Sequence, residues 1–305
     1  MSSALRITDL TKSFKVGFIP KTIRALNGIS LEVEQGEIFG LLGPNGAGKT
    51  TTIKCILSLI HPDSGRIELL GDPVPSRKAK AKIGFLSENP YVYDFLTGRE
   101  YLQLAANLHG LSSTACNDKA DELISFFHLE TAANRPLRGY SKGMLQKIGL
   151  AQALINDPEF LIMDEPMSGL DPFGRKEVRD LLLSLKGKGK TLLFSSHILA
   201  DAELICDRVA IIVGGKLVTT GKLQDQLKKI RGYEVTLTLN QKLKLDGIEH
   251  QVIAVSDFQM LIQVPSIKQI DEILGLSKTQ NFQIESIEPQ RQTLEELYLK
   301  ETGNL

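Results

Sequence analysis

From Gly43 to Thr51 the chain reads Gly-Pro-Asn-Gly-Ala-Gly-Lys-Thr-Thr, which satisfies the spacing G-x-x-x-x-G-K-[ST]. These residue types suit one task, the cradling of a polyphosphate. Gly43, Gly46 and Gly48 let the backbone wrap closely around an anion, with the N–H groups of that wrap, Asn45 and Ala47 included, turned inward. A helix opening near Lys49 offers its unpaired N–H groups and positive dipole end to the same anion. Lys49 is expected to reach the β- and γ-phosphates, Thr50 to ligate Mg2+ and Thr51 to bond a phosphate oxygen. Chance produces such a match on the order of once per hundred chains of this size. This one also follows an apolar run and opens a helical pattern, which is the context the chemistry requires.

A second pattern supplies hydrolytic groups. Phe160-Leu161-Ile162-Met163 runs without polar interruption into Asp164 and Glu165. Alone, that is a strand meeting solvent. Beside a phosphate loop, Asp164 is placed to hold Mg2+ through water, and Glu165 to act as general base on a water in line with the γ-phosphate. His197 ends another apolar run, Leu192 to Ser196, and is placed to hydrogen-bond the γ-phosphate.

These groups need a frame that brings strand ends together. Strands are expected over 5–10, 29–33, 36–42, 66–70, 83–87, 160–163 and 191–195, and helices over 49–60, 114–128, 141–156, 173–185 and 198–205. Thr97 and Glu100 form a T-x-x-E capping box ahead of a further helix. Val209 to Val218, with Gly214-Gly215 at its centre, reads as a hairpin. The alternation implies an α/β core with a mostly parallel sheet. A smaller α/β module follows from Arg231, with strands at 233–239, 250–255, 259–264 and 281–287 and helices at 267–275 and 293–300. The basic cluster Arg77, Lys78, Lys80 and Lys82 reads as a solvated loop, with a docking patch as the alternative.

Composition removes other classes. Among 305 residues, 36 basic and 36 acidic side chains leave a net charge of zero, so no overall field attracts nucleic acid or an anionic membrane. Cys55, Cys116 and Cys206 lack metal-ligand spacing and a disulfide framework. The start, MSSALRITDL, is not expected to be a signal peptide, and no run approaches the length of a membrane helix.

Further motifs carry a resemblance. Leu137-Arg-Gly-Tyr-Ser141-Lys142-Gly143-Met144 resembles the LSGGQ signature of ABC ATPases, and it precedes Asp164-Glu165 by the interval that family shows. Ser168-Gly169-Leu170-Asp171 resembles the D-loop, His197 the switch histidine, and Phe14 the aromatic that stacks on adenine. Glu88 falls at the Q-loop glutamine. The likeness covers residues 1 to about 230 and is strongest to ATP-binding subunits of ABC-2-type exporters, whose C-terminal extension the segment Thr293 to Gly303 resembles.

The resemblance implies a P-loop NTPase fold: a RecA-like core with an antiparallel β subdomain and a helical signature subdomain at about 88–158. It implies an ATP-binding domain over 1–230 and an accessory domain over 231–305. The nucleotide would be ATP with Mg2+, held by Phe14, residues 43–51, and Ser141, Gly143 and Asp171. Thr50, Glu88 and Asp164 would serve the metal, and Lys49, Glu165 and His197 catalysis. The implied partners are a second ATP-binding subunit, a homodimer being the expectation, and an integral membrane permease at the inner face of the cell membrane, with no nucleic acid. Glu88, Lys142 and Met144 depart from the family pattern and bear on hydrolysis more than on binding. Alternative readings are a nucleotide-gated module with little hydrolysis, and an ABC ATPase acting on DNA or ribosomes. The stretch from Lys49 to Ser141 is too short for the coiled coil of DNA-repair members, the chain has one ATPase unit rather than two, and no N-K-x-D motif reads guanine.

Overall fold

A computed structural model describes residues 3–17, 21–227, 230–238, 245, 247–256, 258–280 and 282–301. The chain divides into two compact units, Met1–Leu223 and Gln224–Leu305. The first runs through β1 (Ser3–Val16), β2 (Lys21–Glu34), β3 (Ile38–Leu42), α1 (Lys49–Ile56), β4 (Ser64–Leu69), β5 (Asp72–Pro73), α2 (Arg77–Lys80) and β6 (Ile83–Leu86). Three helices follow, α3 (Gly98–Leu108), α4 (Ser113–Phe126) and α5 (Lys142–Ala153). The unit closes with β7 (Phe160–Met163), α6 (Pro172–Gly187), β8 (Thr191–Ser196), α7 (Leu199–Ile205), β9 (Arg208–Val213) and β10 (Lys216–Lys222).

The central sheet has the order β10-β9-β3-β8-β7-β6, parallel except for β10 at its edge. Strands β3, β7 and β8 are buried at every residue. This is why their sequences lack alternation: both faces are covered, so neither needs polar side chains. An antiparallel sheet of order β2-β1-β4-β5 lies against it. There, alternation is visible: Leu26, Ile29, Leu31 and Val33 of β2 are buried between half-buried or exposed neighbours. Those residues pack with Leu5, Ile7 and Leu10 of β1, Phe39 and Leu41 of β3, and Ile53 and Ile56 of α1. The helix that starts at Lys49 is therefore gripped along its inner face by a shared apolar core.

Local differences from the sequence reading have physical causes. The helix from Lys49 stops at Ile56, short of Ile60, because Ser58 adopts φ +55° and the N–H groups of Leu59 and Ile60 both turn back to the Lys54 carbonyl. The basic cluster at 77–82 is not simply a loop. Ser76 accepts from Ala79 N–H and starts the single turn α2. The Thr97 box is fully formed: Thr97 N–H donates to Glu100 Oε2 at 2.8 Å, and Glu100 N–H to Thr97 Oγ1 at 3.2 Å.

A short turn, α8 (Leu223–Gln226), spans the division. The second unit contains β11 (Ile230–Thr238), β12 (Gln251–Val255), β13 (Gln259–Val264), α9 (Ile267–Gln280), β14 (Gln283–Arg291) and α10 (Leu294–Glu301). Its sheet is antiparallel with order β12-β13-β11-β14, and Val235, Leu237, Ile262 and Val264 pack on Ile270 and Ile273 of α9. Met1 and Ser2 of the N-terminal reading, Leu239 of the first expected strand, and Thr302 and Gly303 of the tail lie outside the described residues.

Candidate functional site

Parallel strands put the ends of their sequences on one edge. The loop after β3 carries 43–48, the turn after β7 carries Asp164 and Glu165, and His197 follows β8. Gly43 N–H donates to the Ser196 carbonyl at 3.3 Å, which ties the first of these loops to the end of β8. A cleft opens there, lined by Ala25, Asn45 to Thr51, Glu88 and Glu165. Ligands of α/β sheets characteristically sit outside the carboxyl ends of the strands.

The glycines answer to space as well as to backbone angle. A Cβ on Gly43 would stand 2.1 Å from the Ile212 carbonyl oxygen, and one on Gly48 would stand 2.7 Å from that of Ala25. Both have positive φ, +149° and +113°. Gly48 is the N-cap of α1, and no side chain caps this helix. The first-turn N–H groups have no partner within their own helix, and the residues that carry them, Lys49, Thr50 and Thr51, line the cleft. That donor set, with a lysine and two threonines, fits a polyphosphate. Among the described residues no cluster of His, Cys, Asp and Glu forms a metal cage by itself. Mg2+ does not need one, since it is commonly held by a hydroxyl or carboxylate together with phosphate oxygens and water. Thr50 and Glu88 on the cleft wall carry such oxygens, and Asp164 directly precedes the cleft-lining Glu165.

The reactive side chains are interlocked. Lys49 Nζ donates to the carbonyls of Gly43 (2.7 Å) and Pro44 (3.2 Å) and lies 3.1 Å from Glu165 Oε1. The second oxygen of Glu165, Oε2, lies 2.8 Å from His197 Nδ1 and accepts from His197 N–H at 3.3 Å. A carboxylate only accepts, so this pairing puts the imidazole hydrogen on Nδ1. Asp164 is buried, and its Oδ1 accepts from Ser195 Oγ at 2.6 Å. Glu165 N–H donates to that same hydroxyl at 2.9 Å. Glu165 itself has φ +50°, a sparsely populated conformation for a non-glycine residue.

Other expected residues lie apart from this cluster. Ser141 is exposed and caps α5, accepting from Met144 N–H at 3.3 Å, with Gly143 in the first turn. Asp171 caps α6 in the same way, accepting from Gly174 N–H at 2.8 Å. Phe14 is half-buried on β1 opposite Ile23, with Lys12 Nζ 5.6 Å from its ring centre, and it is not among the cleft-lining residues. Three participants escaped the sequence reading. Ala25 forms cleft wall, Ser195 bridges the two acidic residues, and buried Gln146 donates from α5 to the Pro166 carbonyl at 2.7 Å. Ser195 had a legible signal, a polar residue inside an apolar run beside His197. Ala25 and Gln146 had none.

Comparison with known proteins agrees with this geometry. A family model described as "ABC transporter" matches residues 26–168. An uncharacterized ABC transporter ATP-binding protein of Nostoc sp. is 49% identical over 76% of this chain and 70% of its own length. A daunorubicin resistance ATP-binding protein of Streptomyces coeruleorubidus is 32% identical over 92% of each chain. The solved dimeric structure of an ATP-binding cassette in a post-hydrolysis state, bound to ADP and Pi, superposes with a TM-score of 0.66 at 26% identity, over 72% of this chain and 98% of that one. A phosphate cradle at the sheet edge and kinship along most of the chain lead to one conclusion: the chain belongs to the ABC transporter family, as an ATP-binding subunit with the P-loop ATPase fold.

Proposed function

We propose that two copies of this chain sandwich two ATP molecules head to tail and that hydrolysis drives a separate membrane permease, in the direction of export. The observation that carries the reading is the Lys49–Glu165 contact at 3.1 Å, a phosphate-binding cation and a carboxylate base at one cleft. Lys49 binds the β- and γ-phosphates, and the first-turn N–H groups of α1 bind the rest of the chain of phosphates. Transfer of Lys49 to phosphate releases Glu165 Oε1, which then accepts a proton from the attacking water. His197 stays on Oε2 and orients the base. Thr50, Glu88 and Asp164 would hold Mg2+, which when bound would supply neutralising charge to the phosphate oxygens. Ser141 and Gly143, at the open end of α5, face the γ-phosphate held by the partner copy. Catalysis on this view is positioning and charge stabilisation.

The exporter reading is supported by relatives named for daunorubicin resistance and for Nod factor export. No helix among the described residues is long and apolar enough to cross a membrane. An apolar surface follows Glu88: Tyr91 is 93% exposed, and Tyr93, Phe95 and Leu108 are exposed with it. Such a cluster suits contact with the permease.

The test is Glu165→Gln. The variant should bind ATP, lose turnover and accumulate as an ATP-dependent dimer on sizing, and the trapped dimer should carry the permease through purification. Unchanged turnover would remove Glu165 as the base.

A further inference from the structure

The backbone at Glu165 is held against its own preference. A non-glycine residue at φ +50° persists only where its surroundings over-determine it. Four hydrogen bonds hold the backbone of residues 164–166. Asp164 N–H donates to the Leu86 carbonyl at 2.8 Å, and Glu165 N–H to Ser195 Oγ at 2.9 Å. Ser168 N–H donates to the Glu165 carbonyl at 3.0 Å. The fourth is Gln146 Nε2 to the Pro166 carbonyl at 2.7 Å. The first two come from neighbouring strands, and the third is internal to the turn. The fourth alone reaches in from α5. Gln146 is 3% exposed, so this bond is not exchanged with water.

Helix α5 begins at the Ser141 cap, and Gln146 lies in its second turn, about 7.5 Å along the axis from Ser141. One rigid element thus has the signature at its tip and a grip on the peptide after the base at its flank. The two ends serve different nucleotides. Glu165 acts on the ATP held by Lys49 of the same chain, whereas Ser141 and Gly143 meet the ATP held by the partner.

We propose that Gln146 is a positioning residue that couples the two ATP sites of the dimer. A shift of α5 when its tip engages the partner's nucleotide is carried by the Gln146–Pro166 bond to the strained turn, and aligns Glu165 over its own nucleotide. Hydrolysis at one site then depends on occupancy of the other. This inference rests on the head-to-tail arrangement proposed above.

The experiment uses full-length copies with two different tags, captured as mixed dimers in ATP without Mg2+. Each dimer carries Glu165→Gln on one copy, so a single base remains, and Mg2+ starts one turnover. Gln146→Met keeps the side-chain volume and removes the donor. In the trans dimer, Gln146→Met is on one copy and Glu165→Gln on the other, so the working base lies in the chain that has lost the bond. Its rate should fall about a hundredfold, the cost of misplacing a reacting group by about an ångström. In the cis dimer both changes share one copy, and the rate should stay within about twofold of the dimer with Glu165→Gln alone. Nucleotide affinity should be equal in both. The reverse pattern, cis slow and trans intact, would show that Gln146 only supports its own signature helix and would overturn the proposal. Equal rates in the two dimers would overturn it as well. If Gln146→Met does not fold, Gln146→Glu, which sets an acceptor against the carbonyl, enters the same comparison. Failure of the base assignment is read separately, from turnover by a dimer with Glu165→Gln on both copies.

Discussion

The contact between Lys49 and Glu165 makes a quantitative claim about the nucleotide-free protein. Nζ and Oε1 lie 3.1 Å apart, with side chains 5% and 8% exposed. At an effective dielectric of about 20 the gross attraction is about 5 kcal/mol. Desolvation of the two ions costs several kcal/mol each, so the net contribution of the intact pair is small. The single substitutions are where the pair shows itself. Removing one partner of a buried pair costs about 3–5 kcal/mol when the other is left bare. Here neither is bare: Lys49→Met leaves Glu165 with the two donors of His197, and Glu165→Gln leaves Lys49 with the carbonyls of Gly43 and Pro44. Each single change should therefore cost about 2 kcal/mol, and the double change about 2 rather than about 4, a coupling of about 2 kcal/mol. Near 1 kcal/mol per 2–4 °C, each single variant should melt about 4–8 °C below wild type, and the double variant no lower. Thermal melts of the four proteins without nucleotide give the cycle directly. Additive losses would refute the reasoning, because they would mean that Glu165 is not held by Lys49 in the nucleotide-free protein.

Gly43→Ala should weaken nucleotide binding, since its Cβ would stand 2.1 Å from the Ile212 carbonyl oxygen and the backbone there has φ +149°. Overpacking of that kind costs about 1–3 kcal/mol, and titration with a fluorescent nucleotide should show at least about a tenfold loss; wild-type affinity would disprove the close fit. Acid stability offers a separate check. The Thr97 backbone N–H, and then its hydroxyl, hold the Glu100 carboxyl below its ordinary range. A folded value below the unfolded one means that the contribution is whole above the ordinary glutamate range and is lost as pH falls through the depressed value. Glu100→Gln keeps an acceptor for Thr97 N–H and does not titrate, so its melting temperature should drop less than wild type between about pH 5 and about pH 3. Equal drops would discard the box as a source of acid sensitivity.

Much of the frame was open to reading because it rests on short-range rules. Phe160–Met163 reads as a doubly covered strand because no polar residue interrupts it, and β7 has those bounds and is buried throughout. Thr97 and Glu100 announce a helix start because a cap and its N3 partner are three residues apart. Where the reading slipped, the signal was local conformation without a periodic trace. Nothing in the residue type of Ser58 announces φ +55°, and α1 ends there. The Ser76 cap that winds Arg77 to Lys80 into a turn was masked by the charge of the cluster that follows it.

The phosphate loop, the paired carboxylates and most of the strands and helices are legible in the residues alone. Each follows from spacing along the chain, where glycine freedom, side-chain chemistry and periodicity act over a few residues. What these groups touch depends on how the segments pack in three dimensions. The strand order β9-β3-β8-β7 brings Lys49, Glu165 and His197 into one set of contacts, β2 of the other sheet puts Ala25 on the cleft wall, and the packing of α5 lays Gln146 against the turn that carries Glu165. A hydrophobic pattern states that a face is buried, but not against which partner. Partnership is settled by packing between segments far apart in sequence, and no local rule contains it.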